Sequence, residues 1–284
     1  MTRATFTTLL IATLALATHA EDKPTLKAPV GLQLYSLRTL FQAEGPAKTL
    51  DRVKAMGFKH VELAGTYGMP PEKFKAMLDE RGLEPVSGHF SWDRFKKDPE
   101  GVAKEAKALG LKYAGTAWVK GAGAFDEAYT REVATIFNKA GKVLADNGIK
   151  FFYHIHGYEF APHGDGTLFD LLVKETDPNL VAYEMDILWV FFPGHDPAKL
   201  LAKHSDRFVF THLKDLKKGV LTGDQSGKTD VRNDVPLGTG QIDYPALIKA
   251  AEKSAVKYHF IEDESPTVVD QIPQTLEYLK QFQK

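Results

Sequence analysis

The sequence predicts an α/β fold, a single (β/α)8 TIM barrel, and three observations predict it. Eight short apolar runs alternate with helical patterns along the chain, and regular βα alternation over roughly 250 residues is the pattern of a closed parallel barrel. Gly82, Gly110 and Gly148 end the helical stretches KAMLDERG, KEAKALG and GKVLADNG, in the position just past a helix C-terminus. No Gly-rich dinucleotide fingerprint follows any strand, which disfavours a doubly wound open sheet.

In chain order, residues 1–20 read MTRATFTTLLIATLALATHA, with one Arg, an apolar run from Leu9 to Ala17, and small residues at Thr18 and Ala20. That layout predicts a secretory signal peptide cleaved after Ala20, with residues 21–284 forming the barrel. The apolar run is too short to span a bilayer. VGLQLYSL, Val30 to Leu37, reads as the first strand, and a helix from Gly45 to Met56 follows, with Leu50, Val53 and Met56 on one side and Gly57 as its stop. Further strands are expected at Lys59 to Leu63, Glu84 to His89, Lys112 to Trp118, Ile149 to Ile155, Leu180 to Asp186, Arg207 to Leu213 and Lys257 to Glu262. One long irregular segment, Lys217 to Tyr244, follows the seventh strand. Segments of that length are either functional lids or polar surface excursions.

Composition narrows the class. Hydrophobic residues make up 43% of the 284, ample for a large core, and 36 basic against 37 acidic residues leave a net charge of -1. Without a basic stripe, no nucleic-acid partner is expected. There is no cysteine, which excludes disulfides, a lipid-modified cysteine and a thiolate metal site. The export signal predicts a periplasmic or secreted protein with no membrane anchor and argues against a phosphorylated substrate.

The chemistry centres on VAYEMDILWV, Val181 to Val190, where Glu184 and Asp186 share one face of a buried strand. Buried charge is costly unless it is paired or binds metal. FFYHIHGYEF, FVFTHLKD and YHFIEDE end in acids, imidazoles or lysine in the same way, and side chains at the C-terminal ends of barrel strands converge on one mouth. The expected metal ligands are Glu159, Asp186, His212 and Glu262, an oxygen and nitrogen set suited to one divalent Mn, Co, Mg or Zn ion. Glu184 lies deeper than Asp186 and is read as a salt-bridge partner or as a contact to a ligand. His154 and His156 share a face and are candidates for general base or acid. Lys214 points the same way as His212 and is a candidate to stabilise an enolate oxygen or donate a proton. Gln33, Glu62, His89 and Trp118, near the ends of the first four strands, are candidates for binding sugar hydroxyls. Trp189, with Phe191 and Phe192, is placed as an apolar wall for a sugar ring.

With GLQLYSLR, YHIHGYEF, YEMDILWV, THLKDL, PLGTGQIDYPALI and FIEDE in order, the chain resembles the sugar phosphate isomerase/epimerase family with the xylose-isomerase-like TIM barrel. The resemblance covers essentially everything after residue 20. It implies one divalent ion held by Glu, Asp, His and Glu at successive strand ends, hence Asp186, His212 and Glu262, with Glu159 as the first ligand by inference. It also implies abstraction of a proton α to a keto-sugar carbonyl. Exported proteins similar to this one include 3-keto-glycoside lyases, so elimination of the C1 substituent is the expected reaction. The alternatives are a sugar isomerase or epimerase acting on an unphosphorylated ketose and, from a different class, a non-catalytic sugar-binding barrel. The expected partner is a small carbohydrate, with homo-oligomerisation left open.

Overall fold

The computed structural model describes residues 23–119 and 124–283; the expected signal peptide, residues 1–20, lies outside them. Eight parallel strands close the barrel: β1 (Val30–Gln33), β2 (His60–Leu63), β3 (Glu84–His89), β4 (Tyr113–Thr116), β5 (Lys150–His154), β6 (Val181–Asp186), β7 (Phe208–Leu213) and β8 (Tyr258–Ile261). They are hydrogen-bonded around the ring in sequence order, with β1 paired to β8. The predicted fold class is the one observed. Among the described residues no helix is long and apolar enough to cross a membrane.

The boundaries shift where local hydrogen bonding competes with the ladder. β1 stops at Gln33 instead of Leu37, because the Gln33 carboxamide accepts the Tyr35 amide at 3.0 Å and turns Leu34–Leu37 into a 3-10 helix. The following helix, Arg38–Ala55, begins earlier than its apolar spacing suggests and is broken at Gly45, where φ is 81° and Pro46 follows. The helix-ending glycines adopt positive φ, 88° at Gly57, 66° at Gly82, 72° at Gly110 and 76° at Gly148, a conformation that costs a side-chain-bearing residue energy.

Alternation along each strand separates two cores. Inside the barrel, Val86, Phe152, Ala182, Phe210 and Phe260 form a closed apolar plug. Two glycines make room for it: a Cβ at Gly31 would stand 2.8 Å from the Phe260 ring, and one at Gly115 would stand 2.7 Å from Phe152. Outward-facing residues pack on helices, as Tyr153 does on Phe137, 4.9 Å between ring centres. Above the plug, toward the C-terminal strand ends, the inward positions turn polar: Gln33, Glu62, Ser87, His154, Glu184 and His212 are all buried. A barrel that fills its lower half with phenylalanine confines its chemistry to the upper mouth.

The long segment after β7 is folded. Asp215–Leu216 pairs antiparallel with Asp234–Val235. The Asp215 carboxylate accepts four backbone amides, from Leu216 at 2.8 Å, Gly238 at 3.0 Å, Gly240 at 3.1 Å and Ile242 at 3.3 Å. These bonds satisfy the carboxylate and pin the segment's return across the barrel top.

One surface feature gives a pH-dependent expectation. Asp170 closes the capping box of helix Leu168–Glu175 with Thr167 and also takes Lys203 at 2.6 Å and His204 at 2.8 Å. Partial burial would raise its pKa, but the hydrogen bonds from Lys203, His204 and Thr167 outweigh burial and hold it at about 2. A depressed carboxylate stabilises the fold above its unfolded pKa of about 4, and that contribution is lost as pH falls toward 2. Asp170→Asn is therefore expected to cost about 1 kcal/mol at pH 7, after discounting for solvent screening, and almost nothing at pH 2. Urea titrations of both proteins at the two pH values measure this, and an equal cost at both would show the carboxylate charge to be irrelevant.

Candidate functional site

Successive strand ends deliver His154 from β5, Asp186 from β6 and His212 from β7, with Glu262 one residue past β8. The register sets them side by side: His154 lies opposite Glu184, and Asp186 opposite His212. All four are buried. Asp186 is held by its Oδ1, which accepts the Trp189 amide at 3.0 Å and caps helix Ile187–Phe191. Its Oδ2 is buried with no hydrogen-bond partner. That oxygen stands 3.9 Å from His154 Nε2 and 3.8 Å from His212 Nδ1, while His212 Nδ1 is 3.2 Å from Glu262 Oε2.

Below these atoms a second layer orients the imidazoles. Glu184 Oε2 takes His154 Nδ1 at 3.0 Å and His89 Nε2 at 3.1 Å, and its Oε1 lies 3.1 Å from His212 Nε2 as an ion pair without hydrogen-bond alignment. Glu62 Oε1 takes His212 Nε2 at 2.6 Å and is itself held by Gln33 Nε2 at 2.7 Å, while Ser87 Oγ donates to Oε2 at 2.5 Å. Each ligand-candidate imidazole therefore gives one nitrogen to a carboxylate of this layer and turns the other, Nε2 of His154 and Nδ1 of His212, toward Asp186, with His212 Nδ1 also hydrogen-bonded to Glu262. This is the arrangement in which a carboxylate fixes the tautomer of a metal-binding histidine.

The electrostatics follow the carboxylates: at His212 burial opposes the charge, but Glu184 and Glu262 outweigh it and raise the pKa well above the usual range. Burial, with His212 nearby, holds the His154 pKa well below the usual range, leaving a neutral ring with a free nitrogen lone pair. His89 is driven the other way: burial opposes its charge, but Glu62 and Glu184 outweigh burial and raise it to about 10. Burial raises Asp186, whereas Lys214 and His212 overcome burial at Glu262 and hold it well below the carboxylate range.

The residues present fit a divalent ion. Two sets of donors lie close enough to share one: His89, His154, Glu184 and His212, and Asp186, His212 and Glu262. In the first set the imidazole nitrogens are already spent on Glu184 and Glu62. The second set, extended by His154 Nε2, contains the orphaned Asp186 Oδ2. Its neighbouring donors, 3.2 to 3.9 Å apart, approach the ~3.4 Å separation of tetrahedral donors that each bind an ion at ~2.1 Å.

The expected first ligand, Glu159, is elsewhere. Gly157, at φ 95°, turns the chain after β5, and the buried Glu159 carboxylate accepts the Tyr153 hydroxyl and the His156 amide, at 3.1 and 3.2 Å for the latter. Tyr153 belongs to the outward face of β5, so Glu159 closes the loop behind the barrel wall and His154 occupies the strand-five position at the mouth.

The mouth opens into a cleft of about 930 Å³. His89, His154, His156, Trp118 and Trp189 line it, as their placement at strand ends predicts. Gln33 and Glu62, expected to bind hydroxyls, are instead buried beneath the imidazoles and do not reach the cleft. Phe191 and Phe192 also lie outside its lining. Lys214 is enclosed too, its ammonium 2.6 Å from Glu264, 3.2 Å from Glu262, 3.8 Å from Asp234 and 3.9 Å from Asp186. This one buried cation offsets part of the charge of the four carboxylates around it; it has no open path to a substrate. His156 packs against Trp189, 5.7 Å between ring centres, and its buried Nδ1 has no hydrogen-bond partner.

Sequence reading missed the outer wall. Trp92 and Tyr129 line the cleft from the far side, where the indole donates to the Tyr129 hydroxyl at 3.2 Å. The long segment closes another side with Gly227, Lys228, Thr229, Val231 and Asp234. Gly227, at φ 72°, seats against His156: a Cβ there would come within 2.9 Å of the His156 carbonyl. No periodicity marks these positions, and only the irregularity of Lys217 to Tyr244 pointed toward them.

Comparison with known proteins came to the same architecture. A family profile described as xylose isomerase-like TIM barrel matches residues 50–282. An inosose dehydratase of Geobacillus kaustophilus is 26% identical over 251 residues, spanning 78% of this chain and 81% of its own. A sugar phosphate isomerase/epimerase from Parabacteroides distasonis superposes with a TM-score of 0.75 at 27% identity, covering 90% of this chain and all of its own. The IolI protein with a bound zinc atom gives a TM-score of 0.68 over 89% of this chain and 96% of its own; at 12% identity that likeness shows the fold alone.

Proposed function

Because the chain belongs to the xylose isomerase-like TIM barrel family, we propose that it removes the proton α to the carbonyl of a keto sugar and eliminates the C1 substituent of a 3-keto-glycoside. The observation that carries the reading is the buried Asp186 Oδ2, which has no hydrogen-bond partner and faces His154 Nε2 and His212 Nδ1. Leaving a carboxylate oxygen buried and unsatisfied costs on the order of 1–3 kcal/mol, a cost that binding an ion removes. His154, Asp186, His212 and Glu262 would hold a divalent ion, which would polarise the substrate carbonyl and its neighbouring hydroxyl and so acidify the α-proton.

The chain's own groups supply the rest. His156 lines the cleft, where burial lowers its pKa to about 3 and keeps the ring neutral; in this reading it would accept the α-proton from a sugar seated against Trp189 and Trp118. The aromatic wall excludes water from the reacting carbons and binds the apolar face of the ring. Elimination is favoured over isomerisation by the relative named as an inosose dehydratase, since loss of water from a hydroxyketone is the same proton abstraction followed by departure of a β-substituent. A signal peptide at residues 1–20 would take the protein to unphosphorylated sugars outside the cytoplasm.

The test is proton NMR of the metal-loaded protein with a 3-keto-glucoside in D₂O. Release of the aglycone with loss of the C2 proton is the expected result. Exchange or inversion at C2 with the glycosidic bond intact would replace the lyase by an epimerase, and an unchanged spectrum would remove the keto-glycoside from consideration.

A further inference from the structure

We propose that Asp234, brought to the cleft by the long segment after β7, is a further catalytic residue, the acid that protonates the departing glycosidic oxygen. This inference rests on the elimination reading above. Asp234 begins the short strand paired with Asp215–Leu216, is 3% exposed and lines the cleft. One carboxylate oxygen, Oδ2, accepts the Glu264 amide at 2.9 Å and lies 3.8 Å from Lys214 Nζ. The other, Oδ1, has no partner among the described residues. The carboxyl is thus fixed by one oxygen and free at the other, the disposition of a group that works on a bound molecule.

Its surroundings favour the acid form. Burial raises the Asp234 pKa to about 7 against the attraction of Lys214, with the neighbouring carboxylates of Glu264 and Asp263 adding to the rise. Other groups at the mouth are spent: Glu262 and Glu264 are paired with Lys214, and the Lys214 ammonium is enclosed.

The step balances. His156 takes the C2 proton, and the electrons of that C–H bond pass into the enolate. They return to form the C1–C2 double bond as the C1–O bond breaks, and the leaving oxygen takes the proton of Asp234. The products are an unsaturated keto sugar and an alcohol, and both side chains recover their starting forms by proton exchange with water.

A general acid matters most for poor leaving groups, and such catalysis contributes about 10²–10⁴-fold. The experiment compares release of methanol and of 4-nitrophenol from the two 3-keto-glucosides, together with C2 exchange in D₂O, for the unaltered protein and Asp234→Asn. The asparagine keeps an acceptor for the Glu264 amide. The expected result is a rise of about 100-fold in the 4-nitrophenol-to-methanol rate ratio. An unchanged ratio in a variant with native melting temperature overturns the proposal. In a second arm, Asp234→Ala should regain methanol release on addition of acetate, and failure to do so counts against the acid role. If the unaltered protein itself exchanges no C2 proton and releases neither alcohol, the elimination reading fails, and the role of Asp234 falls with it.

Discussion

Asp186→Asn is expected to abolish turnover while leaving the metal-free protein at least as stable as before. Asp186 is the donor that His154 and His212 both face, so losing its charge removes a ligand from the centre of the set. A loss of about 10³-fold or more in kcat/KM, the rate equivalent of about 4 kcal/mol, is the expected scale. Stability should move the other way. Burial penalises the Asp186 charge, and its Oδ2 is unsatisfied; an asparagine retains the Oδ1 cap on Trp189 and lowers the charge buried around Lys214. The unaltered protein should gain about 2.7 kcal/mol at an ion concentration 100 times its Kd, and the variant almost none. Melting curves with and without Mn²⁺ or Zn²⁺ read both effects. An ion-dependent gain that survives in Asp186→Asn would place the ion elsewhere, whereas Glu159→Gln, altered behind the barrel wall, should keep one ion per chain.

Glu184→Ala is expected to do the opposite to stability and to damage the site indirectly. The Glu184 carboxylate holds His89 and His154 and contacts His212. Burial raises its pKa, but the imidazoles, against the repulsion of Glu62, bring it down to about 2. Removing it strands buried imidazoles, of which His89 and His212 are held charged by the surrounding carboxylates, at a cost of about 3–5 kcal/mol. His154 also loses the acceptor that selects its tautomer, so ion affinity should fall about 10–100-fold. Urea unfolding measures the first effect and a metal-binding titration the second. Unchanged affinity in a folded Glu184→Ala protein would show that Glu184 serves packing alone. Glu184→Gln, which keeps an acceptor for one imidazole, should fall between.

Both variants concern residues that were legible in the sequence to different degrees. Asp186, His212 and Glu262 stand at the ends of apolar runs, and placing such ends on neighbouring barrel strands is enough to bring them together. Glu184 was visible as a buried acid, but its partners were not: they come from β3, β5 and β7, and only closure of the ring makes them neighbours. Glu159 and His154 differ because a positive-φ turn at Gly157 decides which side of the wall the chain takes after β5, and that choice is not encoded in spacing. Lys214 illustrates the same limit, since its strand parity points it toward the mouth while Glu262, Glu264 and Asp234 enclose it.

By itself the sequence determined the βα order and the acids and imidazoles at consecutive strand ends, because these follow from local periodicity and from the cost of burying charge. The tertiary structure alone decided which nitrogen of each imidazole faces Asp186, that the Asp186 Oδ2 atom is left without a hydrogen bond, and that Asp234 reaches the cleft from a segment with no periodic pattern. Those outcomes depend on strand register, on the direction of turns and on contacts between residues up to 150 positions apart, as between Glu62 and His212. Short-range patterns carry no record of them.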